Sequence, residues 1–138
     1  MLESAIATAA KAHEGQTDKA GKPYILHPLR VMLNVKGGIP EQCAAVLHDV
    51  IEDTDITAEA LLELSFSKEV VDAVVLLTRK KDDDYMEYVK RLKANPIARA
   101  VKLADLADNM DMSRIPNPTE KDFARLEKYK KAKSILLD

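Results

Sequence analysis

Apolar residues recur at helical spacing along almost the whole chain, and the breaks between these stretches are marked by Gly, Pro and small polar residues. The first stretch, Leu2 to His13, is Ala-rich and stops at Gly15. A polar loop, GQTDKAGKP, separates it from a second helix running from about Tyr24 to Val35, which Gly37-Gly38 ends. Pro40 opens a third helix through about Glu52, early in the first turn where its missing N–H is harmless. Thr57 is placed to cap TAEALLELSF, with Glu59 suiting the helix dipole. Ser67 caps KEVVDAVVLLT, whose Val70, Val71, Val74, Val75 and Leu77 form one apolar side. That valine content would suit a strand, but the spacing and the cap are helical. The run Asp82-Asp83-Asp84 precedes YMEYVKRLKAN as a cap and dipole partner, Pro96 starts IARAVKLADLADNMDM, and Thr119 caps EKDFARLEKYKKAKSILL. Nothing alternates with a period of two. The pattern predicts an all-α fold, a compact single-domain bundle of seven or eight helices over residues 1–138.

Composition agrees with this reading and narrows the function classes. Apolar residues are 46% and charged residues 32% of the 138, Trp is absent and Gly is scarce, an ordinary helix-favouring globular balance. A net charge of −2 supplies no basic field for nucleic acid, although Lys121 to Lys133 is locally basic; a solvated helix face is the expectation there. The single Cys43, inside the apolar run CAAVL, excludes an internal disulfide and a Cys-based zinc site and reads as a buried thiol. The N-terminal stretch lacks the basic start and long apolar core of a signal peptide, and no apolar run approaches the ~20 residues of a membrane span. The expectation is a soluble, cytoplasmic protein without a membrane or nucleic-acid partner; a homo-oligomer is compatible with the sequence.

The chemistry begins at His48-Asp49. Apolar flanks, AAVL and VI, set this helix against a core, yet it carries His48, Asp49, Glu52 and Asp53 together. On a continuous helix His48 and Glu52 share one face, as do Asp49 and Asp53. Four ionisable groups in one buried turn and a half are several kcal/mol unfavourable unless a cation compensates them. His27 lies between Ile25-Leu26 and Pro28-Leu29, and Asp105 lies in VKLADLADNM with Lys102 and Asn109 a turn away on either side. Two imidazoles and two carboxylates form a mixed donor set suited to Mn²⁺, Fe²⁺ or Zn²⁺, with positions left for water.

The order HEGQTDKAGKPYILHP, AAVLHDVIEDT and VKLADLADNM, extending more loosely into the last helix, resembles the HD-domain hydrolases of the stringent response. These comprise the hydrolase half of RelA/SpoT-type enzymes and the stand-alone small alarmone hydrolases. The resemblance implies the HD-domain fold, with His27, His48, Asp49 and Asp105 as ligands of one divalent ion, usually Mn²⁺ in that family. It makes Glu52 and Asp53 the pair that activates or positions the attacking water. It also implies a nucleotide substrate, guanosine tetra- or pentaphosphate, from which the 3′-pyrophosphate is removed. Asn109 matches a substrate-contacting Asn. Lys19, Lys102, Arg114 and Lys130 are further candidates for holding phosphates, Lys102 having an equal reading as a salt-bridge partner of Asp105 or Asp108. Tyr24 either packs as core or stacks on a base, and His13 with Gln16 matches the first motif in a loop-pinning role.

The chain departs from the family pattern at Asp18, at Leu106, Ala107 and Asp108, and at Met112. None falls on the ligand set or on Glu52-Asp53. All fall where base and ribose recognition is expected, so hydrolysis is expected to survive while guanine selectivity loosens. An adenosine alarmone or another nucleotide (pyro)phosphate is the alternative substrate, and a non-catalytic nucleotide sensor the alternative class.

Overall fold

The computed structural model describes residues 1–138 as helices joined by short turns. They are α1 (Leu2–Ala12), α2 (Leu26–Asn34), α3 (Ile39–Leu47), α4 (Val50–Asp53), α5 (Ala58–Glu63), α6 (Lys68–Leu77), α7 (Tyr85–Leu92), α8 (Pro96–Asn109) and α9 (Glu120–Leu137), with a 3-10 turn at Met112–Arg114 before the last. The one β-type pairing is an isolated bridge between Thr17 and Pro23. The fold is all-α, and the caps expected from sequence are formed. The Thr57 hydroxyl accepts from the Ala60 N–H at 3.1 Å, Ser67 from Val70 at 3.4 Å, and the Asp84 carboxylate from Glu87 at 3.0 Å. Thr119 and Asp122 cap α9 reciprocally. Each bond satisfies a first-turn donor that the helix itself leaves open.

Two expectations are corrected. The second helix starts at Leu26; Tyr24 and Ile25 form a turn, closed by i→i−3 bonds from the Leu26 N–H to the Pro23 carbonyl at 3.2 Å and from the His27 N–H to the Tyr24 carbonyl at 3.0 Å. The third predicted helix is divided between α3 and α4 at His48-Asp49. There the Ala45 carbonyl accepts both the His48 N–H, at 3.3 Å, and the His48 Nδ1–H, at 2.6 Å, instead of the Asp49 N–H that a continuing helix would present. His48 and Val50 are buried and Asp49 half-buried, whereas Glu52 and Asp53 are exposed rather than set against the core.

The core centres on α3 and α8. Cys43 to Leu47 are fully buried, and α3 packs on α1, α2, α6 and α8, while α8 also reaches α7 and α9. Cys43 is a free, buried thiol whose pKa burial pushes up. On α6, Val70, Val71, Val74 and Leu77 enter the core, but Val75 is exposed. No helix is long and apolar enough to cross a membrane. The consequence for the site is that α2, the α3–α4 break and α8 meet, each bringing polar side chains to one place.

Candidate metal centre

His27, in the first turn of α2, His48, at the α3–α4 break, and Asp105, on α8, are all buried and place one ligand-type atom each within 4.8 Å of the others. Buried imidazoles and carboxylates need partners, and the way they are held decides what they can do. His48 Nδ1 faces a carbonyl, which can only accept, so that nitrogen carries the proton and Nε2 of the neutral ring turns its lone pair to the cluster. His48 Nε2 is buried and makes no hydrogen bond, although Asp49 Oδ2 and Asp105 Oδ1 lie 3.1 and 3.3 Å away. His27 is held likewise. Its Nδ1 is 2.7 Å from Asp108 Oδ2, and its Nε2 is 2.9 Å from Asp105 Oδ1. An orphaned buried nitrogen beside two carboxylates, with both imidazoles fixed from behind, fits a cation at the point where they converge. These residues can hold a metal ion.

Asp49 stands slightly apart from this group. Its Oδ2 is 3.7 Å from His27 Nε2 but accepts the Tyr24 hydroxyl at 2.5 Å. Burial and the Asp49 charge together drive the Tyr24 phenol far above its usual pKa, so it stays a donor. Tyr24 is thus neither simply core nor free to stack; it orients a carboxylate. Burial opposes ionisation of Asp49 and Asp105. The adjacent His48 outweighs it for Asp49, as Lys102 and His48 do for Asp105, so both carboxyls are held below their usual range. The imidazoles show the reciprocal effect: burial favours their neutral forms, but the facing carboxylates raise both His27 and His48.

Glu52 and Asp53 line a cavity of about 580 Å³ together with His27, Asp49 and Asp105. Glu52 Oε1 accepts the Arg79 N–H at 2.7 Å. Partial desolvation of the carboxyl groups in the cavity wall, with the Asp49 charge, raises both Glu52 and Asp53, against the opposing Arg79 bond at Glu52. Lys19, Tyr24, Lys102, Asn109 and Arg114 also line this cavity. Asn109 donates at 3.1 Å to Asp105 Oδ1, the same oxygen that faces the two imidazoles.

Two of the residues expected to hold phosphates are placed otherwise. Lys102 is buried, and its ammonium sits 2.9 Å from Asp105 Oδ2, so the salt-bridge reading prevails. Lys130 lies outside the cavity, on the outer face of α9, where it pairs with Glu127 at 3.3 Å. The face of α9 turned inward presents Arg125 and Tyr129 instead, one turn apart, an i, i+4 pair that sequence reading passed over. Asp18 and Asp108, two of the departures from the family pattern, are committed within the protein. Asp18 accepts from the Ala20 and Lys22 N–H groups and shapes the loop before α2. His13 extends the same support: its Nδ1 meets Gln16 Oε1 at 2.8 Å, and Gln16 donates to the Asp53 carbonyl.

Asp108 is the supporting residue the sequence concealed. Besides His27 it receives Arg30 Nε at 2.7 Å and Arg114 Nη2 at 3.2 Å, and the first two hold its carboxyl at about 2 in spite of burial. A carboxylate behind a ligating imidazole fixes the ring and raises its basicity, and losing it typically lowers metal affinity about 10–100-fold. Asp108→Asn is therefore expected to weaken Mn²⁺ binding by that factor when the metal is titrated into metal-free protein. Unchanged affinity would mean that Asp108 serves only its arginines.

Known proteins resemble this chain over nearly its whole length. A family profile described as HD domain matches residues 5–131. The guanosine-3′,5′-bis(diphosphate) 3′-pyrophosphohydrolase of Vibrio cholerae is 36% identical over 123 residues, covering 79% of this chain and 17% of that protein. A probable enzyme of the same name from Mycoplasma genitalium is 30% identical over 154 residues, covering 95% of this chain and 21% of its own length. The chain thus spans about a fifth of these curated relatives. A solved structure described as a metazoan ortholog of SpoT that hydrolyzes ppGpp superposes with a TM-score of 0.79 at 26% identity, covering 99% of this chain and 83% of that one.

Proposed function

This chain belongs to the HD domain family, and from that membership we propose that it removes the 3′-pyrophosphate from guanosine tetra- or pentaphosphate-type alarmones, giving GDP or GTP and pyrophosphate. The observation that carries this reading is the buried His27, His48 and Asp105 group, set beside Glu52 and Asp53 in a cavity within the roughly 300–1,000 Å³ range of small-molecule sites. Its relatives named for that hydrolysis support the substrate. In this reading the whole chain is one phosphohydrolase domain, working in the cytoplasm on a small nucleotide.

His27, His48, Asp49 and Asp105 would hold the ion, Mn²⁺ by resemblance to the family. A divalent ion there supplies Lewis-acid polarisation of a phosphoryl oxygen and lowers the pKa of nearby water. The chain's own residues do the rest. Glu52 keeps Oε1 on the Arg79 N–H, which leaves Oε2 free to take the proton of the attacking water. Asp53 positions that water from the next residue of the same turn. Tyr24 holds Asp49 in place, and Asn109 holds Asp105. Lys19 and Arg114 line the cavity and would hold phosphate oxygens.

One observation favours a second substrate, a nucleotide with fewer phosphates. Arg30, Arg114, Arg125 and Lys102 each already meet an aspartate of the protein, so within the main cavity little positive charge remains free for a tetraphosphate. The test is to incubate Mn²⁺-loaded protein with 3′-pyrophosphorylated and simpler phosphorylated guanosine and adenosine nucleotides and to identify the products by chromatography. Release of pyrophosphate from the guanosine alarmone is expected. Turnover confined to nucleotides of lower charge would favour the second reading, and no turnover of any would overturn both.

A further inference from the structure

A smaller cavity, about 160 Å³, opens beside the main one. Asp49, Glu52, Lys102, Asp105, Asn109 and Tyr129 line both, so it adjoins the metal centre and the proposed base. Its outer wall is Arg79, just past the end of α6, Tyr85 at the start of α7, and Lys128 on α9, and the side chains of all three are unused by the proposed hydrolysis.

These groups lack the partners that such groups normally have. Every arginine or lysine lining the main cavity has a carboxylate within 4.0 Å, but neither the Arg79 guanidinium nor the Lys128 ammonium does. The Arg79 guanidinium donates only to the Asp83 carbonyl, at 3.1 Å, and Lys128 Nζ makes no hydrogen bond. Both stand over the Tyr85 ring, at 5.1 and 4.5 Å from its centroid, and Lys128 also stands 5.4 Å from that of Tyr129. Cation–π contacts account for part of this approach. They do not account for the buried Tyr85 hydroxyl, which has no hydrogen-bond partner. Lys102 also stands 5.6 Å from the Tyr85 centroid but is paired with Asp105, so Arg79 and Lys128 are the two cations on this ring with no carboxylate partner, and they repel each other unless an anion lies between them.

We propose that Arg79, Tyr85 and Lys128 form an oxyanion subsite that takes one phosphoryl group next to Glu52. The cavity is too small for a nucleoside and suits a single tetrahedral group, and a guanidinium, an ammonium and a hydroxyl are the donors such a group takes. The electrostatics agree: burial, then the charges of Arg79, Arg125 and Lys102, depress the Lys128 ammonium. The identity of the anion rests on the phosphohydrolase reading; the subsite itself does not.

The test uses the full chain in EDTA, so that no ion contributes, with inorganic phosphate titrated and followed by NMR and by thermal unfolding. Wild type is expected to bind phosphate and to rise in Tm with it. Lys128→Met and Arg79→Met are each expected to weaken phosphate about tenfold or more, and Tyr85→Phe by a smaller factor. Lys128→Met without phosphate is expected to unfold at or above the wild-type Tm, since it relieves like-charge crowding, whereas a structural lysine would lower it. GDP and guanosine distinguish the source of the anion: a subsite for the substrate's own phosphate separates the two through Lys128, and one for released product responds to free phosphate alone. No phosphate binding by wild type, or binding lost in Arg114→Met but kept in Lys128→Met, would overturn the subsite. A protein that binds phosphate through Lys128 yet hydrolyses no nucleotide would overturn the proposed activity and leave the subsite standing.

Discussion

Asp105→Ala is expected to abolish metal binding and, separately, to destabilise the metal-free protein by about 3–5 kcal/mol, the usual effect of removing one member of a buried ion pair. Asp105 serves two purposes at once. Its Oδ1 faces both imidazoles and its Oδ2 holds the Lys102 ammonium at 2.9 Å, with Lys102 enclosed between α8 and the Tyr85 and Tyr88 rings. The pairing, against the effect of burial, raises the Lys102 pKa, so its proton stays. Alanine therefore leaves a buried charge without a partner. The double variant Asp105→Ala/Lys102→Met separates the two roles, because an apolar side chain of similar length replaces the ion pair at little net loss. It is expected to recover most of the stability in urea unfolding and none of the Mn²⁺ affinity. Recovery of metal binding in the double variant would remove Asp105 from the ligand set; equal instability of both variants would mean that Lys102 is not the stranded charge.

How far this centre could be read from the chain depends on the range of each interaction. The helices were legible because their signals are local: Thr57, Ser67, Asp84 and Thr119 cap within three residues of themselves. Spacing offered Lys102 and Asp105, three apart on α8, as a pair, with Asp108 as the other partner and a phosphate as an equal reading. The break at His48-Asp49 could not, since the flanking residues keep helical spacing and only the return of an imidazole to its own helix's carbonyl stops the ladder. Asp108 meets His27 across 81 positions of sequence, so periodicity offers no hint of it and it read as a specificity change. Lys130 shows the opposite failure: it read as a candidate for holding phosphate, but on α9 the helical phase turns Arg125 and Tyr129 inward and leaves Lys130 outside the cavity.

Glu52→Gln is expected to lower kcat about 10²–10⁴-fold while leaving folding and metal uptake unchanged, the range typical of a lost general base. Glutamine keeps an acceptor for the Arg79 N–H, and position 52 is exposed, so the change in stability should stay within about 0.5 kcal/mol. The pH profile gives the sharper discrimination. Partial desolvation raises the Glu52 carboxyl; the Arg79 bond opposes this, and Asp49 and Asp53 add to it. A base works only when ionised, so the wild-type rate falls as pH drops through that raised value. The residual rate of the glutamine variant should lack this acid limb, because no proton remains to be gained at position 52. A limb that persists unchanged in Glu52→Gln, and disappears in Asp53→Asn, would move the base one residue along α4. Asp53 is raised by partial desolvation and by Asp49 as well but has no Arg79 bond to fix one oxygen, so it can accept a proton without a defined direction. That difference in anchoring is the physical reason for assigning the proton to Glu52: general-base catalysis needs the acceptor atom held where the water will be.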